Sequence, residues 1–216
     1  MIKKKKVIII DYQLSNLFSV KRACDFVGLD SEISSDPTKL LTADGVILPG
    51  VGAFGDAMEN LKKFNLVSGI KDFVKSAKPF MGVCLGMQLI FSESEEFGKH
   101  EGLDLIKGKV KKIPNRFENH LVRVPQIGWN KLYEPKSSDW KNSYLKDIKN
   151  GDFMYFVHSY YVIPNDNKTV LATTNYEGFN YTSAVLKNNV FAVQFHPEKS
   201  GNKGLTIYKN FAESLK

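Results

Sequence analysis

The stretch KPFMGVCLGMQLIF (residues 78–91) decides the fold and raises the first chemical question. An apolar run of strand length, residues 79–83, leads straight into Cys84. Gly82 and Gly86 flank the cysteine two residues away on each side, and a helix-compatible segment follows. A G-x-C-x-G pentapeptide between strand and helix has the pattern of a nucleophile elbow with cysteine in the serine position. The sharp turn forces the nucleophile into a strained backbone conformation, and glycine on either side removes side chains that would collide. A helix beginning at Leu85 directs its partial positive end at the sulfur and favours thiolate, and the Leu85 N–H is a natural oxyanion donor. The competing reading of Cys84 is a buried structural thiol, which needs neither glycine.

Working outward, the first half alternates strand and helix. Residues 6–10 (KVIII) read as a buried strand. A helix follows from Asn16, with Leu17, Val20, Cys24 and Val27 at helical spacing. Residues 45–50 (GVILPG) read as the second strand, residues 66–77 as an amphipathic helix and residues 78–83 as the third strand. This order predicts an α/β fold with a doubly wound, mostly parallel sheet whose site lies at the C-terminal strand ends. Asp11, the 49–52 loop and Cys84 should therefore be neighbours. The second half is strand-like and rich in aromatic and β-branched residues, at 105–113, 129–133, 153–163, 169–176, 181–189 and 190–196. It reads as an antiparallel extension, with a last helix from about Lys203. Residues 1–216 are expected to form a single domain.

Composition excludes several classes. The 216 residues are 43% hydrophobic, enough for a substantial core, and no apolar run reaches membrane-span length. The lysine run Lys3–Lys6 precedes only a short apolar segment, too short for a signal peptide, and reads as a solvated lead-in. The net charge of +7 is dispersed, without a nucleic-acid signature. Two cysteines, Cys24 and Cys84, imply no disulfide framework and point to a cytoplasmic setting. Cys24 sits on the apolar face of a helix and reads as core.

A thiol nucleophile needs a base, and the base an orienting group. His100 and His120 lie in polar stretches and read as solvated. His158 and His196 both follow buried strands. His196 is preferred because Glu198 stands two residues on across Pro197, a spacing that puts both side chains on one side of an extended segment. No metal-ligand spacing occurs, and no cofactor is expected. Residues 48–58 (LPGVGAFGDAM) offer a second oxyanion donor at Val51 or Gly52, beside glycines free to turn. A phosphate cradle is the other reading of that loop, without the lysine and hydroxyl of a P-loop.

Taken together, GVCLGMQ, LPGVGAFGDAM and QFHPEKS closely resemble class I glutamine amidotransferase domains. Within that family they resemble the glutaminase subunit of imidazole glycerol phosphate synthase. YFVHSYY (155–161) and VPQIGWN (124–130) carry the same likeness, which runs from Ile9 to Phe211. The resemblance implies that Cys84 attacks the glutamine amide, with His196 as acid/base and Glu198 orienting it. It implies that Gln88, Glu96 and the Ser159–Tyr160 backbone contact glutamine. For Gln88 the plainer reading is an exposed helix residue; for Tyr160 it is sheet packing.

The amidotransferase unit is expected to use up the chain, which would leave ammonia to pass to a partner through a sheltered path. In the resembling family that partner is a (β/α)₈-barrel cyclase, and Asn16, Trp129, Tyr155 and Lys199 match positions that line or gate the contact. Core packing is the other reading of Trp129. Three segments depart from the family pattern: Gln13-Leu14-Ser15 replace usual glycines, Gln126 replaces a histidine, and Gly201 replaces a commoner polar residue. The first two fall near the expected partner face. A sugar amidotransferase is therefore an alternative partner, and a stand-alone γ-glutamyl thiol hydrolase an alternative function.

Overall fold

The computed structural model describes residues 4–215. Lys3 of the lysine lead-in and the side chain of His120 lie outside the described residues. Strand β1 (Lys6–Ile10) is followed by α1 (Leu17–Phe26), β2 (Asp30–Ser34), α2 (Pro37–Thr42), β3 (Gly45–Leu48), α3 (Phe54–Lys63), α4 (Leu66–Lys75), β4 (Phe80–Val83) and α5 (Leu85–Leu89). Residues 45–48 thus form the third strand, not the second. The sequence reading missed β2, α2 and α3. Strand β2 (DSEIS) hides because only Ser31 and Ser34 are buried, so it carries no apolar run to read.

The two-residue strands β5 (Glu93–Ser94) and β6 (His100–Glu101) precede β7 (Gly108–Lys112). After β8 (Arg116–Phe117) and β9 (His120–Leu121) come β10 (Gln126–Lys131), β11 (Phe153–His158), β12 (Tyr160–Pro164), β13 (Val170–Tyr176), β14 (Phe179–Lys187) and β15 (Val190–Val193). Helix α6 (Gly201–Ser214) follows. The expected single strand over 153–163 is two strands in different sheets. Strand β11 pairs with β10, whereas β12 pairs with β7 and β14.

An eleven-stranded sheet runs in the order β2-β1-β3-β4-β15-β14-β12-β7-β5-β6, with β13 on β14. Its β2-β1-β3-β4-β15 portion is parallel. The last strand joins the two parts of the sheet: β15 crosses back to pair antiparallel with β14 on one side and to lie parallel to β4 on the other, with Val193 opposite Val83. This return carries the function. It delivers the residues after β15 to the same sheet edge as those after β4, although about a hundred residues separate them in sequence.

Two apolar layers cover the sheet. One centres on Val7, Ile9, Ile47, Met81 and Phe191, packed against α1 and α6; the other on Ile8, Ile10, Leu48 and Phe80, packed against α3 and α4. The alternation of neighbouring β1 residues between the layers is the period-two rule for a strand buried on both faces. Cys24 is buried in the first layer, and burial pushes its thiol up to about 12, which makes it inert at neutral pH.

Candidate functional site

Cys84 occupies the turn between β4 and α5 with φ 55° and ψ −110°, a conformation that non-glycine residues avoid and that aims Sγ out of the sheet end. The flanking glycines serve the neighbouring strands more than the turn itself. A Cβ on Gly86 would stand 1.8 Å from the Leu48 carbonyl oxygen of β3, and one on Gly82 would crowd Ala192 of β15 and the Gly86 carbonyl at 3.0 Å. The elbow is wedged between its two parallel neighbours. Helix α5 is only five residues long, so its dipole contributes less at the sulfur than the sequence reading assumed.

From the end of β15 the chain brings His196 and Glu198 to the same place. His196 Nδ1 lies 2.7 Å from Glu198 Oε1, with both side chains all but sealed from solvent. Pro197 opens the short 3₁₀ turn Pro197–Lys199, which folds the carboxylate back beneath the imidazole. Burial works against the imidazolium, yet the nearby Cys84 sulfur and the Glu198 carboxylate outweigh it and bring the His196 pKa up to about 10. Its Nε2 carries no hydrogen bond, leaving that nitrogen available on the side away from Glu198. His158, the other candidate base, is engaged elsewhere. Its Nδ1 lies 2.8 Å from the Tyr160 carbonyl oxygen and its Nε2 3.2 Å from the Tyr181 hydroxyl, and burial depresses its pKa to about 4. His100 is not a freely solvated side chain: its ring lies against α3, where a Cβ on Gly55 would meet it at 2.7 Å.

A cavity of about 270 Å³ opens over Cys84. Val51, Gly52, Leu85, Gln88, Glu96, Ser159 and Tyr160 line it, together with Pro125, Val157 and His158. Gln88 is buried rather than an exposed helix residue. Its Nε2 donates to the Tyr160 carbonyl and to Gln194 Oε1, each at 3.1 Å. Glu96 accepts from the Phe54 N–H at 2.6 Å, and burial raises its carboxyl above the ordinary range. Gln194, whose Nε2 lies 3.8 Å from Cys84 Sγ, was overlooked although it begins the QFHPEKS segment. Tyr181 was invisible in sequence because nothing in a strand of alternating pattern marks which hydroxyl will meet a histidine.

Two of the three expected oxyanion donors, Val51 and Leu85, are engaged. The Val51 N–H donates to the Leu14 carbonyl at 2.9 Å, and the Leu85 N–H donates to the Gly50 carbonyl at 3.3 Å. Both bonds engage one peptide unit, since the Gly50 carbonyl and the Val51 N–H belong to the same amide plane. The glycine at 50 is required by close approach, because a Cβ there would stand 2.0 Å from the Tyr12 hydroxyl; Gly52 is the one with positive φ, 97°. The residues departing from the usual pattern at 13–15 thus touch this loop: Leu14 holds Val51, and the Ser15 hydroxyl donates to the Pro49 carbonyl at 3.3 Å.

Chain comparison decides the family. The class-I glutamine amidotransferase model matches residues 8–215. This chain belongs to the class-I glutamine amidotransferase family. The amidotransferase is 47% identical over 208 residues to the imidazole glycerol phosphate synthase subunit HisH of Caldanaerobacter subterraneus subsp. tengcongensis, covering 96% of this chain and 98% of that one. It is 46% identical over 207 residues to the HisH subunit of Aquifex aeolicus, covering 95% of each. The Moorella thermoacetica HisH subunit is 43% identical over 212 residues, covering 98% of this chain and 96% of that one. A solved structure of PurLQS from Thermotoga maritima superposes with a TM-score of 0.75 at 18% identity, over 99% of this chain and all of that one, a likeness of fold.

On the outer side of the amidotransferase, β10 and β11 present an apolar face. Trp129 is 55% exposed and stacks edge-on with Tyr155 at 6.1 Å between centroids, so it is not core. Lys199 Nζ sits 5.9 Å from the Tyr155 ring, whose backbone carbonyl accepts the His196 N–H at 2.9 Å. Asn16 is exposed before α1, its side chain accepting from the Ser19 hydroxyl. Gln126, by contrast, is 1% exposed and points inward from β10, so this departure lies away from the exposed Trp129 face. Among the described residues no helix is long and apolar enough to cross a membrane.

Proposed function

We propose that this chain is the glutaminase subunit of an imidazole glycerol phosphate synthase, hydrolysing glutamine and passing ammonia to a (β/α)₈-barrel cyclase in histidine biosynthesis. The observation that carries the chemistry is the junction of β4 and β15, where Cys84 meets a buried imidazole backed by a carboxylate. The pathway is supported by near full-length relatives bearing the HisH name. They favour the cyclase over a sugar amidotransferase and over a stand-alone hydrolase.

Cys84 gives its thiol proton to His196 Nε2 as Sγ attacks the side-chain carbonyl carbon of glutamine. The tetrahedral oxyanion collapses as His196 gives the Nε2 proton to the leaving nitrogen, releasing ammonia and a γ-glutamyl thioester. His196 then takes a proton from water, which hydrolyses the thioester to glutamate. Glu198 fixes the imidazole with its proton on Nδ1 and stabilises its charge. Gln88, Glu96, Ser159 and Tyr160 hold the substrate, with the buried Glu96 carboxylate suited to the glutamine ammonium. Val51 or Gly52, with Leu85, supply the oxyanion donors. No cofactor is required, and residues 1–216 act as one domain. Trp129, Tyr155, Lys199 and Asn16 meet the cyclase. Its docking on Tyr155 acts one hydrogen bond from His196. Complementation of a bacterium lacking this glutaminase subunit tests the pathway: growth without histidine is expected, and a purified complex that makes imidazole glycerol phosphate from ammonia but not from glutamine would refute it.

A further inference from the structure

Behind the cavity wall formed by residues 157–160 lies a buried chain of polar side chains that the reaction does not itself call for. His158 Nδ1 is 2.8 Å from the Tyr160 carbonyl oxygen, its Nε2 is 3.2 Å from the Tyr181 hydroxyl, and that hydroxyl is 2.9 Å from the Gln126 Oε1 position. All three side chains are buried, and Gln126 Nε2 has no partner. The proton inventory of this chain fixes the tautomer of His158. A carbonyl only accepts, so the proton of neutral His158 is on Nδ1. Its Nε2 is then an acceptor, and the single Tyr181 proton goes to it. Tyr181 oxygen can then accept from Gln126, which rotating the amide by half a turn allows, bringing the otherwise orphaned nitrogen to the hydroxyl; the buried Thr174 hydroxyl is a second donor beside it. Charging His158 instead would place a cation in a site whose burial already holds its pKa near 4.

The same Tyr160 carbonyl that takes the His158 proton also takes Gln88 Nε2, and Gln88 passes on to Gln194 and so to Cys84 Sγ. We propose that Tyr181, with Gln126 behind it, is a positioning residue: it orients His158 so that His158 pins the Tyr160 carbonyl, and thereby sets the wall of the pocket opposite the nucleophile. This rests on the reading of the cavity as the glutamine site. Tyr181 touches no substrate; it acts through His158. Gln126 supplies a buried donor without a titrating group.

The test uses the full chain with its cyclase subunit and nucleotide, measuring KM and kcat for glutamine separately. Tyr181→Phe removes one buried oxygen and should raise KM by roughly tenfold, the effect of about one hydrogen bond, with kcat within about threefold. His158→Leu should do the same or more. His158→Asn should recover most of the loss, because its amide nitrogen falls where Nδ1 was and can still donate to Tyr160. Unchanged KM in Tyr181→Phe overturns the proposal, as does equal damage from Leu and Asn at 158, which would mean that the ring only fills space. Should His158→Leu fail to fold, Tyr181→Phe and His158→Asn decide the matter. Nitrogen-15 correlation spectra of the labelled histidines give an arm independent of turnover: wild type should show His158 neutral with the proton on Nδ1, and a proton on Nε2 overturns the chain. Absence of all glutaminase activity in wild type would overturn the functional reading instead, while the tautomer still decides the hydrogen-bond chain.

Discussion

Docking of a cyclase subunit with its nucleotide should accelerate glutamine hydrolysis about a hundredfold, and the structure supplies the reason and the size. At rest the Gly50–Val51 peptide is held on both sides: its N–H by the Leu14 carbonyl at 2.9 Å, and its carbonyl by the Leu85 N–H at 3.3 Å. Turning this one peptide over breaks both bonds. It aims the Val51 N–H at the cavity and releases the Leu85 N–H beside Cys84. Two such bonds are worth about 2–3 kcal/mol together, so the turned state is roughly thirty- to 150-fold less populated than the resting one. A single oxyanion donor contributes about a hundred- to a thousandfold to the rate, so hydrolysis proceeds through the rare state. A partner that favours the turned peptide can recover at most the population factor. Pro49 stays put, its carbonyl accepting from the Tyr12 hydroxyl at 2.8 Å, and the exposed Val51 side chain offers the handle. The assay is steady-state glutamate formation by the chain alone, with cyclase, and with cyclase plus nucleotide. Equal rates in all three would refute the reasoning, and activation well beyond about 150-fold would show that two hydrogen bonds are not what restrains the loop.

Cys84→Ala should lower hydrolysis by at least ~10³-fold with the fold intact, whereas Cys24→Ala should keep activity and lose some thermal stability. Cys84→Gly should be equally inactive and melt higher than Cys84→Ala, because glycine relieves the positive φ. His196→Asn should abolish thioester formation in rapid-quench measurements, and Glu198→Gln should impair it less, since the carboxylate only orients and stabilises the imidazolium. The His196 pKa is raised from 6.5 to about 10 in the fold, so its stabilising contribution is full below pH 6.5 and disappears as pH rises through about 10. Melting curves of wild type should lose stability over that window, and those of His196→Asn should lose less. Gly86→Ala should fail to assemble the elbow, read as loss of soluble protein, because its Cβ meets backbone rather than a side chain that can swing away.

Local pattern made the elbow, the parallel first half and the HPE turn legible. Apolar runs of strand length, glycine spacing and a proline between histidine and glutamate are properties of a few adjacent residues. Strand β2 and helix α2 escaped because tertiary packing, rather than periodicity, holds them: α2 buries only Leu40. Helix α3 does carry the pattern, burying Phe54, Ala57, Met58 and Leu61 at helical spacing, but it overlaps the glycine loop that was read for its backbone donors. The pairing of β15 with β4 could not be read at all. An isolated VFAV segment serves a parallel or an antiparallel neighbour equally well, and only closure of the sheet chooses both, β14 antiparallel and β4 parallel. That choice converts two separate motifs into one site.

The sequence by itself determined the chemical types: a strained thiol, an imidazole with a carboxylate two residues away, and a loop able to turn. Tertiary structure decided their state. It put Trp129 outward and Gln126 inward on one strand, since alternate residues face opposite sides. It took Gln88 out of solvent and gave its amide to Tyr160 and Gln194. It also engaged two of the expected oxyanion donors, because Leu14 and Gly50 happen to present carbonyls where Val51 and Leu85 point. Which hydrogen bond a backbone N–H makes depends on the nearest acceptor in space, and that distance is a property of the assembled fold.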